Sequence, residues 1–248
     1  MIPRPLAVGI FVIDTICCFF LLVCIYWGCS SQKTEVVSGV SSLKEKPFHL
    51  SRQEKKEGFR ILFDGTSLDQ WTSNTSEYKL EEGVIVMRPS EGGHGNLYTK
   101  EQFDNFILRF ELLIPPAANN GLGIRHKMIV DQKIGYDGME LQILDNEAPV
   151  YEHLKPYQYH GSVYGWIPAK RGYLKPAGEW NRQEVVANGN HIKVTLNGTV
   201  IVDGDLKEAT KDVPPEKIPA SLFYPKGHIA FLGHNDMIKI RNIRIKEL

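Results

Sequence analysis

The chain has no surplus of either charge: 29 lysines and arginines stand against 29 aspartates and glutamates. That balance removes the electrostatic reason to expect nucleic acid as a partner, because phosphate backbones select basic surfaces. Cysteine is missing from Ser30 to Leu248, since all four, Cys17, Cys18, Cys24 and Cys29, lie near the N-terminus. Disulfides, thiolate metal sites and a cysteine nucleophile are thereby excluded from the rest of the chain. No segment beyond the N-terminus keeps a long helical period, so a helical fold is not expected. Two histidines at ligand spacing on one element are also lacking. No cofactor or metal is expected, although Asp137, Glu140 and Asp145 could hold a hard cation.

What is present begins with a leader. Arg4 precedes an apolar run from Leu6 to Gly28, interrupted by Asp14 and Thr15 and followed by Cys29-Ser30-Ser31. A charged start, an apolar middle and a small residue before a break form an export signal. Gly28-Cys29 resembles a bacterial lipoprotein cleavage site, with Cys29 as the lipidated residue; Tyr26 and Trp27 are bulkier than is usual there. The run is also long enough to serve as an uncleaved anchor. On either reading the protein is exported and membrane-tethered in the cell envelope. Residues 1–28 are then the signal. Residues 29–57, rich in Ser, Lys and Glu, read as a flexible tether. Residues 58–248 form one domain.

Within that domain short apolar runs alternate with turn residues. Phe59–Phe63, Val84–Met87, Phe106–Ile114, Leu122–His126, Met139–Leu144, Gly161–Gly165, Gln183–Ala187, His191–Leu196, Thr199–Val202, His228–Leu232 and Ile238–Ile245 read as strands. Asn188-Gly189 and Asn197-Gly198 punctuate three of them as hairpin turns. A phase slip at Arg241-Asn242 predicts a bulge. Many short strands at regular spacing predict an all-β sandwich or jelly roll of antiparallel sheets.

The polar residues inside these strands are the candidates for chemistry. In Met139-Glu140-Leu141-Gln142-Ile143, alternate positions share a face, so Glu140 and Gln142 project together while the apolar residues face a core. A carboxylate and an amide in one row suit a sugar, or acid–base chemistry. An ordinary solvated outer face fits the same pattern. Arg125 follows Gly121-Leu122-Gly123-Ile124 and is expected on the face of Gly123, above an empty glycine patch. There it could bind sugar hydroxyls or an oxyanion, or pair with Glu140. His160, aligned with Ser162 and Tyr164, and His234, at a strand-to-turn junction, could each act as a base or be structural. Asp145 either joins Glu140 through a bulge or starts an Asx turn. The loops Pro149–Tyr159 and Ile167–Trp180 bring tyrosines, Lys170 and Trp180, which could stack on sugar rings.

Separated segments read together resemble one family. Phe63-Asp64-Gly65-Thr66-Ser67-Leu68-Asp69-Gln70-Trp71 is similar to the F-D-G-x-x-L-x-x-W opening of 3-keto-disaccharide hydrolases. Gly138–Asp145 resembles their G-x-E-x-Q-I-L-D strand, and Gly178-Glu179-Trp180-Asn181 their G-E-W-N segment. Leu196-Asn197-Gly198 and Arg241-Asn242-Ile243 match L-N-G and R-N-I. Asn119-Asn120-Gly121 with Arg125 resembles N-S-G-x-x-x-R, with Asn120 where Ser is common. The resemblance spans nearly all of residues 58–248. It implies a concanavalin-like jelly-roll sandwich, often in exported lipoproteins, that cleaves glycosides already oxidised to a ketone at carbon 3. The ketone acidifies the carbon 2 proton, so a base can remove it and the carbon 1 substituent is eliminated; water then adds. This needs a base and an electrophile, with an acid where the leaving group is poor, rather than two spaced carboxylates. Set against that need, the candidate residues are Glu140, His160 and Arg125 for catalysis, with Asn120, Gln142, Asp145, Tyr164, Lys170, Trp180 and His234 for binding an oligosaccharide or glycoside.

Two other classes fit the same fold. Laminarinase-type glucanases carry E-x-D-x-x-E, but here Gln142 replaces the middle acid and Asp145 the last. A non-catalytic carbohydrate-binding module would use the same polar and aromatic residues.

Overall fold

The structure, a computed structural model, describes residues 47–73, 76–88, 95–128, 137–234 and 236–248. The proposed signal and Cys29 lie outside these residues, as does most of the proposed tether. Thirteen strands are described: β1 (Arg60–Phe63), β2 (Trp71–Ser73), β3 (Tyr78–Glu81), β4 (Val84–Met87), β5 (Asn96–Phe103), β6 (Phe106–Leu113), β7 (Asn119–His126), β8 (Met139–Leu144), β9 (Trp180–Asn188), β10 (His191–Leu196), β11 (Thr199–Asp205), β12 (Gly227–Leu232) and β13 (Ile238–Glu247). Two short helices, α1 (Arg52–Glu57) and α2 (Leu206–Thr210), complete the regular structure apart from single 3-10 turns.

The strands form two antiparallel sheets, as the alternating runs predict. The larger runs β11-β10-β9-β6-β13-β4-β3, with β1 also paired to β13; the smaller runs β2-β5-β12-β7-β8. On β6, Phe106, Leu108, Phe110 and Leu112 alternate inward and are almost completely buried. Leu122, Ile124 and Phe231 of the smaller sheet meet them in one core, where Phe110 and Phe231 pack edge to face at 5.7 Å. Each fully buried side chain of this kind stabilises the sandwich by about 1.5–3 kcal/mol. The Asn197-Gly198 turn has φ of 50° and 90°, the two positive values a tight two-residue hairpin needs. Asn242 takes φ 54° where the β6–β13 register shifts, which is the bulge predicted from the phase slip.

Burial separates the two sheets. On β6 buried and half-buried positions alternate, whereas every residue of β12 is buried and so is all of β7 after Asn119. A strand buried on both faces has its outer face covered as well as its inner one. The functional site must be sought on the outer face of the smaller sheet.

Strands β2, β3 and β5 were not legible as strands. The first two have three and four residues. Half of β5 reads Lys-Glu-Gln-Phe and is exposed along its charged part. The run Gly161–Gly165 is instead a short bridged edge: Leu141 pairs with Val163, and left-handed Gly161 and Gly165 stop the pairing on either side.

The expectation that the chain stays off the sandwich up to Glu57 is corrected for residues 47–57. The Phe48 N–H donates to the Asp64 carbonyl at 2.8 Å, and α1 starts with a capping box between Ser51 and Glu54. Glu54 then accepts from Arg244 at 2.7 Å and faces Arg109 at 3.6 Å on the larger sheet. Burial pushes the Glu54 carboxyl up, but the bonds from the Ser51 backbone, the Arg244 side chain and the Ser51 hydroxyl, aided by the Arg244 charge, outweigh it and hold it at about 2. No residue of α1 is buried, so caps and ion pairs hold it, and no apolar stripe was there to be read.

Candidate active site

β7 and β8 build the floor of the site. Leu122 and Ile124 on β7, and Met139, Leu141 and Ile143 on β8, point into the core. Gly121 and Gly123 therefore face outward, as do Glu140 and Gln142. The register sets Gly123 opposite Glu140 and Gly121 opposite Gln142. A Cβ added to Gly121 would overlap Glu140 Oε1, so the carboxylate lies across that glycine. The glycine patch, expected from the sequence to be empty, is filled: it seats the head of Glu140. Among the described residues no hydrogen-bond donor or cation reaches this carboxylate. Burial alone pushes it up to about 7. Such a group exchanges a proton readily at neutral pH, which suits an acid or a base.

Around Glu140 lies a cleft of about 440 Å³. Asn119 and Gln142 line it from the strands, with the Gln142 amide donating to Asn119 Oδ1 at 3.3 Å. Tyr164 and Trp166 line it from the segment after β8. This segment is tied to the floor: the Gln142 N–H donates to the Ser162 carbonyl at 3.0 Å and the Tyr164 N–H to the Glu140 carbonyl at 2.9 Å. Ser221 and Leu222 form another wall, and His234, just beyond β12, completes the lining. Two aromatic rings above a row of amides and a carboxylate are suited to a sugar, which offers an apolar face and hydroxyl edges.

The structure therefore brings together Glu140, Gln142, Tyr164 and His234 from the sequence-derived set. It places the others elsewhere. Arg125 has φ 51° at a register shift between β7 and β12. This bulge reverses the alternation, so Arg125 leaves the face of Gly123 and pairs with no carboxylate there. Its fork donates to the Asp104 carbonyl at 2.9 Å, the Gly189 carbonyl at 2.7 Å and Asn105 Oδ1 at 3.1 Å. It ties β7 to the β5–β6 and β9–β10 turns, across both sheets. Arg125→Lys keeps the charge but loses the fork, so we expect a stability loss of about 2 kcal/mol by denaturant titration. Turnover by the folded variant should stay within a few-fold of the parent. A large loss of turnover at unchanged stability would return Arg125 to the chemistry.

His160 is fully enclosed: its Nδ1 accepts from the Leu144 N–H at 3.3 Å, so Nε2–H donates to Gln183 Oε1 at 2.9 Å. Burial pulls it down to about 4, leaving it neutral, and it lines no part of the cleft. It clamps the loop after β8 to β9. Asp145 caps a turn, accepting from the Ala117 N–H at 2.9 Å and the Glu147 N–H at 3.3 Å. That is the Asx-turn alternative, and it removes Asp145 from the possible cation set. Among the described residues, no group of three or more His, Cys, Asp or Glu could hold a metal. Asn120 shares the inward phase of Leu122 and donates to the Asp236 carbonyl at 3.2 Å. Lys170 is exposed, its N–H bonded to the Ile201 carbonyl of β11. Trp180 lies on the outer face of the larger sheet, with the Arg241 guanidinium 4.0 Å from its ring centre.

Sequence reasoning missed Asn119, Trp166, Ser221 and Leu222 in the cleft. It also missed His126, which the same bulge turns toward the outer face. His126 is fully buried, both ring nitrogens lack partners among the described residues, and burial pulls it to about 4. Its ring fills the space left by Gly123 and Gly138. Those glycines were the available signal.

The 3-keto-alpha-glucoside-1,2-lyase-like domain model matches residues 58–246, and the chain belongs to that family. A relative from Bacteroides thetaiotaomicron, named 3-keto-disaccharide hydrolase, is 26% identical over 77% of this chain and 79% of its own length. Two solved proteins of Parabacteroides distasonis, each provisionally named a glycosyl hydrolase, share the fold. One is 23% identical with a TM-score of 0.71 and covers 82% of this chain and 100% of its own. The other is 25% identical with a TM-score of 0.64 and covers 77% and 99%. The chain is a carbohydrate-active domain of the 3-keto-disaccharide hydrolase type.

Proposed function

We propose that this domain cleaves glycosides or disaccharides that carry a ketone at carbon 3, with Glu140 moving the proton. The observation that carries this reading is one carboxylate among the described lining residues, raised to about 7 by burial, on the floor of an aromatic-walled cleft. Ordinary retaining or inverting hydrolysis uses two carboxylates at a set separation. Here the neighbour two residues along is Gln142, and Asp145 is committed to a turn. A carbon 2 proton made acidic by an adjacent ketone needs one base, and Glu140 supplies it. The leaving group departs from carbon 1 and water adds to the resulting double bond. The family and the Bacteroides relative support the substrate class. The leader and Cys29 support export and a membrane tether as part of the same proposal.

The test uses the purified domain with a 3-keto-glucoside and the matching unoxidised glucoside. Turnover is expected for the keto sugar alone, with deuterium at carbon 2 slowing release of the aglycone or washing into solvent. Equal cleavage of both sugars would sink the elimination chemistry. Binding without any product would leave a carbohydrate-binding module.

A further inference from the structure

The proposed chemistry creates a second demand besides a base. As the proton leaves carbon 2, negative charge collects on the ketone oxygen, and a hydrogen-bond donor placed there lowers the barrier. Arg125, expected in this role, points away to the turns at the end of the sandwich. The Gln142 amide is engaged with Asn119. Tyr164 is placed differently. Val163 bridges Leu141, and the Tyr164 N–H bonds to the Glu140 carbonyl at 2.9 Å, so Tyr164 sits directly across from Glu140. Opposed residues on paired strands project to one face, and both line the cleft. Tyr164 is 40% exposed, open to a ligand. Its hydroxyl oxygen accepts from Gln158 Nε2 at 3.0 Å. Gln158 is itself fixed, since its Oε1 accepts from the Lys155 N–H at 3.0 Å. A phenol that already accepts has its one hydrogen left to give, and accepting strengthens it as a donor.

We propose that Tyr164 is the catalytic hydrogen-bond donor to the ketone oxygen at carbon 3, with Gln158 as its positioning residue; this rests on the function proposed above. The Glu140 carboxylate takes the carbon 2 proton as the C2–H bond breaks. Its electron pair forms the C2–C3 double bond, and the carbonyl π pair moves onto the oxygen held by Tyr164. That pair then returns to re-form the carbonyl, the C1–C2 double bond forms and the C1–O bond breaks. The departing oxygen takes the proton from Glu140, which restores the carboxylate. Water then adds its oxygen to carbon 1 and its proton to carbon 2.

The experiment compares the parent with Tyr164→Phe, which keeps the ring and removes the donor. On a 3-keto-glucoside, kcat should fall by about 100- to 1,000-fold, with KM within threefold and the melting temperature unchanged. Gln158→Leu should give a smaller loss of kcat in the same direction. A 1-deoxy-3-keto sugar, which has no aglycone to expel, isolates the first step: in deuterium oxide the parent should exchange its carbon 2 proton and Tyr164→Phe should exchange it more slowly by a similar factor. If the parent cleaves its substrate and Tyr164→Phe matches its kcat and its exchange rate, or changes KM alone, the role of Tyr164 is overturned. If the parent neither cleaves nor exchanges, it is the underlying function that fails.

Discussion

Glu140→Gln is expected to lower kcat on a 3-keto-glucoside by about two to four orders of magnitude, the usual range of general acid–base help. The amide fills the same space across Gly121, so the fold is retained. The pH dependence gives an independent check. Burial raises the folded carboxyl from 4.5 to about 7. A base must be ionised, so kcat/KM of the parent should climb with pH through about 7. Stability runs the other way. The folded state holds a proton that the unfolded chain has lost, so this contribution is complete below about 4.5 and disappears as pH rises through about 7. The melting temperature of Glu140→Gln should therefore gain on that of the parent between pH 5 and pH 8. Full activity in the variant, or a parent profile flat across neutral pH, would remove Glu140 from the mechanism.

Gly121→Ala is expected to cost about 100-fold or more in kcat/KM through a residue that carries no chemistry. A methyl there collides with Glu140 Oε1, the free end of a flexible side chain. The fold can yield by moving the carboxylate, and a displacement of that size is enough for such a loss. Thermal melting should change little. Gly138→Ala is the contrasting control, because its methyl meets not only the buried His126 ring but also the His126 backbone, with Cα 2.7 Å away. Backbone has nowhere to go, so that variant should lose stability by about 1–3 kcal/mol, as overpacked cores do. If Gly121→Ala works as well as the parent, Glu140 does not act from the position described.

The contrast between Glu140 and Arg125 shows what a sequence can convey. Met139 to Ile143 alternates without interruption, so the face of Glu140 and Gln142 could be read from period alone. Arg125 lies one residue past a run of the same regularity, yet its left-handed φ of 51° reverses the phase. No residue type announces that conformation in a non-glycine, and the error carried His126 with it. His160 failed for another reason. A histidine in a polar loop looks like a base until burial and two fixed partners, Leu144 N–H and Gln183, leave it neutral and out of reach. The sheets themselves were legible wherever apolar alternation or Asn-Gly turns marked them. They were not legible at β2 and β3, which are too short to show a period, or at α1, which rests on charge.

Most of the segments by which the family is recognised hold the scaffold. Asp64 accepts from Thr66 N–H and hydroxyl beside left-handed Gly65, and Trp71 donates to the Leu62 carbonyl at 2.9 Å. Asn181 accepts from the Lys175 N–H at 2.9 Å and from Asn197 at 2.8 Å. Arg241 meets Glu111 at 2.9 Å on the sheet remote from the cleft. Among the described residues, the Glu140 strand and the Asn119–Gly121 start of β7 are the signature segments that also reach the cleft. Descent and activity can therefore part company in this lineage. If Glu140 acts as proposed, a descendant that drifts at position 140 and keeps every other signature segment would fold as before and become an inert sugar receptor. On the proposed role of Glu140, sorting active members from such relics would turn on whether a glutamate stands across from Gly123 with a glycine, as at 121, to lie upon.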